Sequence, residues 1–158
     1  MTVVTPIAAA VLGLALVGCA VAASGLAVSV ADHDALATAR GELRVLKPDL
    51  DSHVVLIAGE EALRESDALR LSVAWRQPER GPATLVVIQV DSGGTACPAM
   101  YRLIDLSRPQ RFVSPKFGNC SDVPRFEQAG GVLYIVFPPY RRAAAERYRY
   151  AEAFVERQ

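Results

Sequence analysis

The fold is decided by the stretch Leu69-Arg70-Leu71-Ser72-Val73-Ala74-Trp75. Its large apolar side chains fall on every second residue, with small or polar side chains between them. Because successive side chains of a β-strand point to opposite faces, this alternation predicts a strand with one buried face. A turn containing Pro and Gly follows, and then Leu85-Val86-Val87-Ile88-Gln89-Val90. That β-branched run is too short for a helix and predicts a buried strand.

Similar short runs recur along the chain between Gly- and Pro-containing turns. They predict further strands over residues 43–47, 54–58, 100–106, 111–113 and 132–137. The segment 143–157 fits either a strand or a helix, and we prefer the strand because a β-rich sheet needs a partner there. The chain is therefore predicted to be mainly β, an antiparallel sandwich or half-open barrel of six to eight short strands, preceded by an N-terminal hydrophobic helix.

The N-terminal stretch from Val3 to Ala31 carries no charged side chain. A stretch of this length predicts either a membrane-spanning helix that is retained as an anchor or a leader removed during export. Leu16-Val17-Gly18-Cys19 has the form of a lipoprotein signal, which makes Cys19 a candidate for lipidation, whereas Ala20-Val21-Ala22 offers an ordinary cleavage site. A helix buried inside a soluble protein is the least favoured interpretation, since such helices rarely run so long without a charge.

These features divide the chain into three parts. Residues 1–31 are expected to be the leader or anchor, residues 32–42 a linker, and residues 43–158 an extracytoplasmic β domain. The expected location is the bacterial cell envelope, on the extracytoplasmic face of a membrane (periplasm or cell surface), with the membrane contacted through the N-terminal segment. The 17 basic and 17 acidic residues leave no net charge to attract a nucleic acid, which is therefore not an expected partner.

Outside the leader the chain has two cysteines, Cys97 and Cys120. An even number of cysteines in an exported domain predicts a disulfide. Two free thiols, or half of a metal site, would also account for the pair. A zinc site would need two further ligands at close spacing, and neither His33 nor His53 lies near a cysteine in the sequence. No metal or other cofactor is predicted.

Residues 85–137 contain an ordered set of motifs: Gly93-Gly94, Cys97-Pro98, Tyr101, the segment Ser114-Pro115 through Cys120-Ser121-Asp122, and Gly130-Gly131 before an apolar strand. This pattern resembles small exported bacterial proteins of unknown function. It covers about a third of the chain. It implies export and a Cys97–Cys120 bridge, and it implies no catalytic residue.

Several motifs resemble parts of catalytic or metal-binding sites, but none of them forms a complete site. Asp91-Ser92-Gly93-Gly94 resembles the nucleophile segment of trypsin-like proteases, but the preceding residue is Val90 and the histidine context of that family is missing. Asp49, Asp51 and His53 would share a face on a strand and could hold a cation, although a solvated turn is the simpler interpretation.

Two further groups of charged residues are explained more simply as solvent-exposed side chains than as functional sites. Glu60, Glu61 and Glu65 could supply an acid pair, but their spacing fits a solvated face. Arginines alternate with tyrosines near the C-terminus, a pattern typical of anion binding or of a strand with tyrosines inward; the residues are Tyr140, Arg141, Arg142, Arg147, Tyr148, Arg149 and Tyr150.

The sequence favours a membrane-tethered binding, accessory or envelope-structural module without catalysis, with another envelope protein as a candidate partner. One alternative is a small envelope hydrolase that uses carboxylates near Asp91 and Asp122. This hydrolase requires the two carboxylates to meet across a cleft. A second alternative is a protein inhibitor or immunity factor that presents a disulfide-braced loop over residues 114–121.

Overall fold

The computed structural model describes residues 35–152 and 154–158. These residues contain twelve strands and no helix, and none of them forms a helix long and apolar enough to span a bilayer. The strands are β1 (Ala35–Thr38), β2 (Gly41–Leu46), β3 (His53–Ile57), β4 (Glu60–Glu65), β5 (Arg70–Gln77), β6 (Leu85–Asp91), β7 (Ala99–Asp105), β8 (Phe112–Val113), β9 (Arg125–Ala129), β10 (Val132–Phe137), β11 (Glu146–Ala151) and β12 (Phe154–Arg157).

The strands form three antiparallel sheets of four, and each sheet uses four strands that are consecutive in the sequence. The first sheet has the order β1-β2-β3-β4, the second β5-β6-β7-β8 and the third β9-β10-β11-β12. Antiparallel neighbours joined by short turns account for this simple order. The prediction of a mainly β, antiparallel protein is confirmed, although the strands number twelve rather than six to eight.

The second sheet is buried on both faces. Val86, Ile88 and Val90 belong to a hydrophobic cluster shared with the first sheet, which we call the first cluster. Leu85 and Val87 belong to a cluster shared with the third sheet, which we call the second cluster. The side chains of one strand alternate between its two faces, so both faces of β6 are packed against other sheets. This explains why the run from Leu85 to Val90 is continuously apolar instead of alternating.

Three strands were not among those predicted from the sequence. The expected linker over residues 32–42 contains β1, whose Leu36 packs against the first cluster. The polar stretch Glu60–Glu65 is β4, and residues Arg125–Ala129 form β9. All three are edge strands, rich in polar residues or too short to show a clear alternation. The segment 143–157 contains β11 and β12, as the strand interpretation requires.

The expected hydrophobic helix and the leader over residues 1–31 lie outside the described residues, as does Cys19. The described chain begins at Ala35, which pairs with Arg44.

Candidate functional site

Five chain segments meet at one end of the three sheets, which we call the disulfide end. They are the connections over residues 47–52, 66–69, 92–98, 114–124 and 138–145. At this end His53 pairs with Glu65 in the first sheet, and Arg70 pairs with Asp91 in the second. A hydrogen bond from the Tyr140 hydroxyl to the Thr95 carbonyl (2.9 Å) joins the connection that follows β10 to the connection that follows β6.

Cys97 and Cys120 form a disulfide at this end, as the sequence predicted. The bond joins the β6–β7 connection to the segment that follows β8, across 23 positions of sequence. Nearby, Gly118 has a φ of 117°, and a Cβ there would lie 3.2 Å from the Tyr101 ring and 3.3 Å from the Phe137 ring. Glycine is therefore required beside the disulfide by both backbone conformation and space.

The β6–β7 connection presents an exposed, internally braced loop. All five residues from Ser92 to Ala96 are exposed. The Ser92 hydroxyl donates to the Cys97 carbonyl and accepts a hydrogen bond from the Gly94 amide, and the Ser92 amide donates to the Pro98 carbonyl at 3.1 Å. With the disulfide at its base, this loop is held in one shape while its surface faces solvent.

Loop 114–121, the segment that the inhibitor hypothesis uses, packs into the protein. Phe117 belongs to the second cluster, and its backbone pairs with that of Tyr101. The Asn119 side-chain amide donates to the carbonyls of Pro138 and Ala144, at 2.8 and 2.9 Å. The braced loop that protrudes is residues 92–96, because the apolar and amide side chains of 114–121 have partners inside.

Asp91 and Asp122 both lie near the hydroxyl of Tyr101. Burial raises the pKa of that hydroxyl, and the two carboxylates raise it further. The Asp91 carboxylate is already engaged, because it accepts hydrogen bonds from Gln89 (2.6 Å) and Arg70 (3.1 Å). The Tyr101 hydroxyl donates to the Ser121 carbonyl at 3.1 Å. These contacts engage the Asp91 carboxylate and the Tyr101 hydroxyl in tying neighbouring segments together.

The hydroxyl of Ser92 is likewise used within the loop. A serine nucleophile needs a base that accepts its proton, usually a histidine within hydrogen-bond reach. Here the Ser92 hydroxyl instead donates its hydrogen bond to the backbone carbonyl of Cys97. The Asp91-Ser92-Gly93-Gly94 motif therefore builds a turn, consistent with the φ of 72° at Gly93.

Asp49, Asp51 and His53 do not converge. Asp49 accepts hydrogen bonds from the Asp51 amide (3.0 Å) and the Ser52 hydroxyl (2.7 Å), which close an exposed turn. The Ser52 hydrogen bond contributes most to lowering the pKa of Asp49. His53 points into the protein, where burial lowers its pKa. Across residues 35–152 and 154–158, no set of three or more His, Cys, Asp or Glu side chains could hold a metal ion.

Glu65 is buried, against the expectation of a solvated face for the three glutamates. Its side chain is only 4% exposed, and its carboxylate contacts Arg102 and Lys116, each at 2.7 Å. Because β4 is a strand, its side chains alternate between two faces, and Glu65 lies on the face that contacts Arg102 of the second sheet. Glu60 and Glu61 are exposed, as expected.

The C-terminal tyrosines and arginines of β11 lie on opposite faces of the strand. Tyr148 and Tyr150 are buried in the second cluster, whereas Arg147 lies on the opposite face with its guanidinium 4.1 Å from the centre of the Tyr134 ring. The strand interpretation of this pattern is therefore correct. Arg141 lies over the Tyr140 ring at 5.7 Å, in the connection that belongs to the disulfide end.

A cleft that was not predicted lies at the end of the sheets opposite the disulfide end, which we call the far end. It has a volume of about 230 Å³ and is lined by Asp105, Ser107, Arg108 and Tyr150 among others. The Asp105 carboxylate accepts hydrogen bonds from the Tyr150 hydroxyl (2.5 Å) and from the Ser107 amide and hydroxyl (2.8 and 2.6 Å). Burial alone would raise the pKa of Asp105, but these hydrogen bonds outweigh burial and lower it.

Asp105 is thus a satisfied carboxylate that joins the second and third sheets. A buried carboxylate with three donors is a poor proton acceptor, since protonation would break those hydrogen bonds. The only sequence signal was the Asp-x-Ser spacing, which suits a tight turn; nothing local indicated Tyr150.

Comparison with known proteins adds no relative: a scan against protein-family models gives no match, and searches of curated proteins and solved structures give no significant match.

Proposed function

We propose that the chain is a membrane-tethered, extracytoplasmic module that binds a partner through its braced loop and performs no catalysis. The uncharged stretch from Val3 to Ala31 supports the tether. The Cys97–Cys120 disulfide supports an oxidising compartment, because disulfides persist outside the reducing cytosol. We expect the partner to be another protein of the envelope.

The single observation that carries this proposal is the exposed loop from Ser92 to Ala96. Its hydrogen bonds and the disulfide at its base fix its shape before any partner arrives. A loop fixed in advance loses less conformational entropy on binding than a mobile one. The nearby groups with catalytic potential, Ser92 and Asp91, are occupied by structural hydrogen bonds.

A second candidate function is a protein inhibitor or immunity factor. Rigid, protruding loops are the usual means by which small proteins block an enzyme site. The exposure of residues 92–96 favours this function over the envelope hydrolase, with the presented loop moved from 114–121 to 92–96.

We also infer a layered sandwich rather than a half-open barrel, because the second sheet contributes to both hydrophobic clusters.

In the bacterial envelope, Cys19 would carry the anchor if the leader is of the lipoprotein type; otherwise the leader would be retained as a helix or cut after Ala22. The resemblance of residues 85–137 to small exported proteins is consistent with this location, since its glycines and cysteines build the disulfide end.

The experiment is site-specific photo-crosslinking of the full chain in the cells that make it. A photoreactive amino acid replaces Thr95 in the braced loop, and in a matched variant it replaces Gln110, which is exposed at the opposite end. We expect a discrete protein adduct from position 95 and none from position 110. Equal labelling at both positions, or none at 95, would contradict binding through this loop.

A further inference from the structure

The large exposed apolar side chains are concentrated at the disulfide end. Among the described residues, four large hydrophobic side chains are strongly exposed: Leu50 (87%), Leu69 (65%), Val123 (64%) and Phe154 (64%). Leu50, Leu69 and Val123 lie in three different connections of the disulfide end, whereas Phe154 begins β12 at the far end. Scattered exposed apolar residues are ordinary, but three at one end need an explanation.

The described chain also begins near the disulfide end. Ala35, the first residue of β1, pairs with Arg44, close to where β2 ends and the connection that carries Leu50 begins. Four peptide links separate Ala35 from Ala31, the last residue of the uncharged stretch, so their Cα atoms can lie at most ~15 Å apart. A bilayer that holds the uncharged stretch therefore lies close to this end of the domain.

We propose that the disulfide end faces the lipid bilayer and that Leu50, Leu69 and Val123 contact its surface. This proposal rests on the membrane tether of the proposed function and adds an orientation to it. The two observations are independent, since Leu69 and Val123 come from segments far from β1 in sequence, yet they select the same end.

The charged side chains of the disulfide end do not account for its contact with the bilayer or for its orientation. The disulfide end carries acidic and basic side chains in equal number; they are Asp49, Asp51, Asp67, Asp122, Lys47, Lys116, Arg141 and Arg142. Lys116 is already paired with Glu65. The contact should therefore form equally well on neutral and anionic lipid. It also brings the braced loop to the membrane, so that its partner is reached alongside the bilayer.

The test uses tryptophan quenching by brominated lipids in vesicles that carry the full chain. Leu69→Trp and Phe154→Trp form a matched pair, because the two positions are equally exposed at opposite ends. The parent chain, with Trp75 alone, gives the background. We expect quenching of at least twofold over background for Leu69→Trp and none for Phe154→Trp, in phosphatidylcholine vesicles with or without phosphatidylglycerol.

The outcomes separate the orientation from the tether. If the chain floats with the vesicles but Leu69→Trp is not quenched, the tether stands and lipid contact is wrong, leaving a second copy or another protein to cover this end. Equal quenching at both positions also refutes the orientation. If the chain does not float with the vesicles, the proposed tether itself fails. Circular dichroism of each variant verifies folding.

Discussion

Replacing Tyr150 by phenylalanine removes the hydroxyl that joins the third sheet to Asp105 of the second. The hydroxyl donates at 2.5 Å to a carboxylate that is almost fully buried. Phenylalanine keeps the ring, which stacks on Phe112 with a centroid separation of 6.1 Å. The substitution therefore tests one hydrogen bond between sheets without emptying the core.

The expected cost follows from the charge of the acceptor. A hydrogen bond to a charged group contributes about 1.5–3 kcal/mol, and we take about 2 kcal/mol for this buried one. Unfolding entropy is about 2.1 cal/mol/K per residue, so a domain of about 120 residues loses ~8 °C in Tm for that cost. Tyr134→Phe is the control, because Phe retains the ring on which Arg147 lies.

The effect should depend on pH with a defined sign. The pKa of Asp105 is lowered in the folded protein from its ordinary value of 3.8, so ionisation of this carboxyl favours folding. That contribution is present above the ordinary pKa and is lost as pH falls through the lowered one. The Tm difference between parent and Tyr150→Phe should therefore be largest at neutral pH and shrink as the pH falls below 3.8.

Thermal unfolding of the full chain in mild detergent, followed by far-ultraviolet circular dichroism, measures this difference. Tyr134→Phe should melt within about 2 °C of the parent, corresponding to less than 0.5 kcal/mol, as is usual for surface changes. A Tyr150→Phe variant that melts with the parent at neutral pH, or whose deficit is unchanged in acid, would refute the role of the Asp105 carboxylate.

Three further changes are expected to destabilise the domain, each measurable by urea unfolding of the full chain. Glu65→Gln leaves Arg102 and Lys116 without their buried counter-charge and should cost about 3 kcal/mol; a cost below about 1 kcal/mol would mean that water screens the group. Reducing the disulfide should cost about 3.4 kcal/mol in the loop-closure model, and an unchanged midpoint in reductant would contradict it. Gly118→Ala should cost about 2 kcal/mol, because it adds a side chain at positive φ against two aromatic rings; parent-like stability would show that the rings can move.

The sequence predicted the buried strands because their signal is local. Leu85–Val90 and Val132–Phe137 are apolar runs bounded by turns, and both are strands in the structure. Trp75 shows the limit of such patterns. A register shift between Val73 and Trp75 turns Trp75 to the second cluster, where it stacks on Phe126, while Val73 stays with the first.

The remaining features depend on residues distant in sequence. Glu65 looked like a surface residue because Arg102 and Lys116, which compensate its charge, lie 37 and 51 positions away. For the candidate site, cysteine parity predicted the disulfide correctly. Which of its two flanking loops would protrude depended on the packing of Phe117 and Asn119, and no local pattern encodes that packing.

The most direct test of the account is the intact mass of the chain recovered from the membrane fraction, after alkylation under denaturing but non-reducing conditions. We predict that Cys97 and Cys120 take up no reagent and that the mass lacks the two hydrogens of the bridge. Recovery of the chain in the soluble cytosolic fraction with both cysteines alkylated would contradict an extracytoplasmic, membrane-held domain.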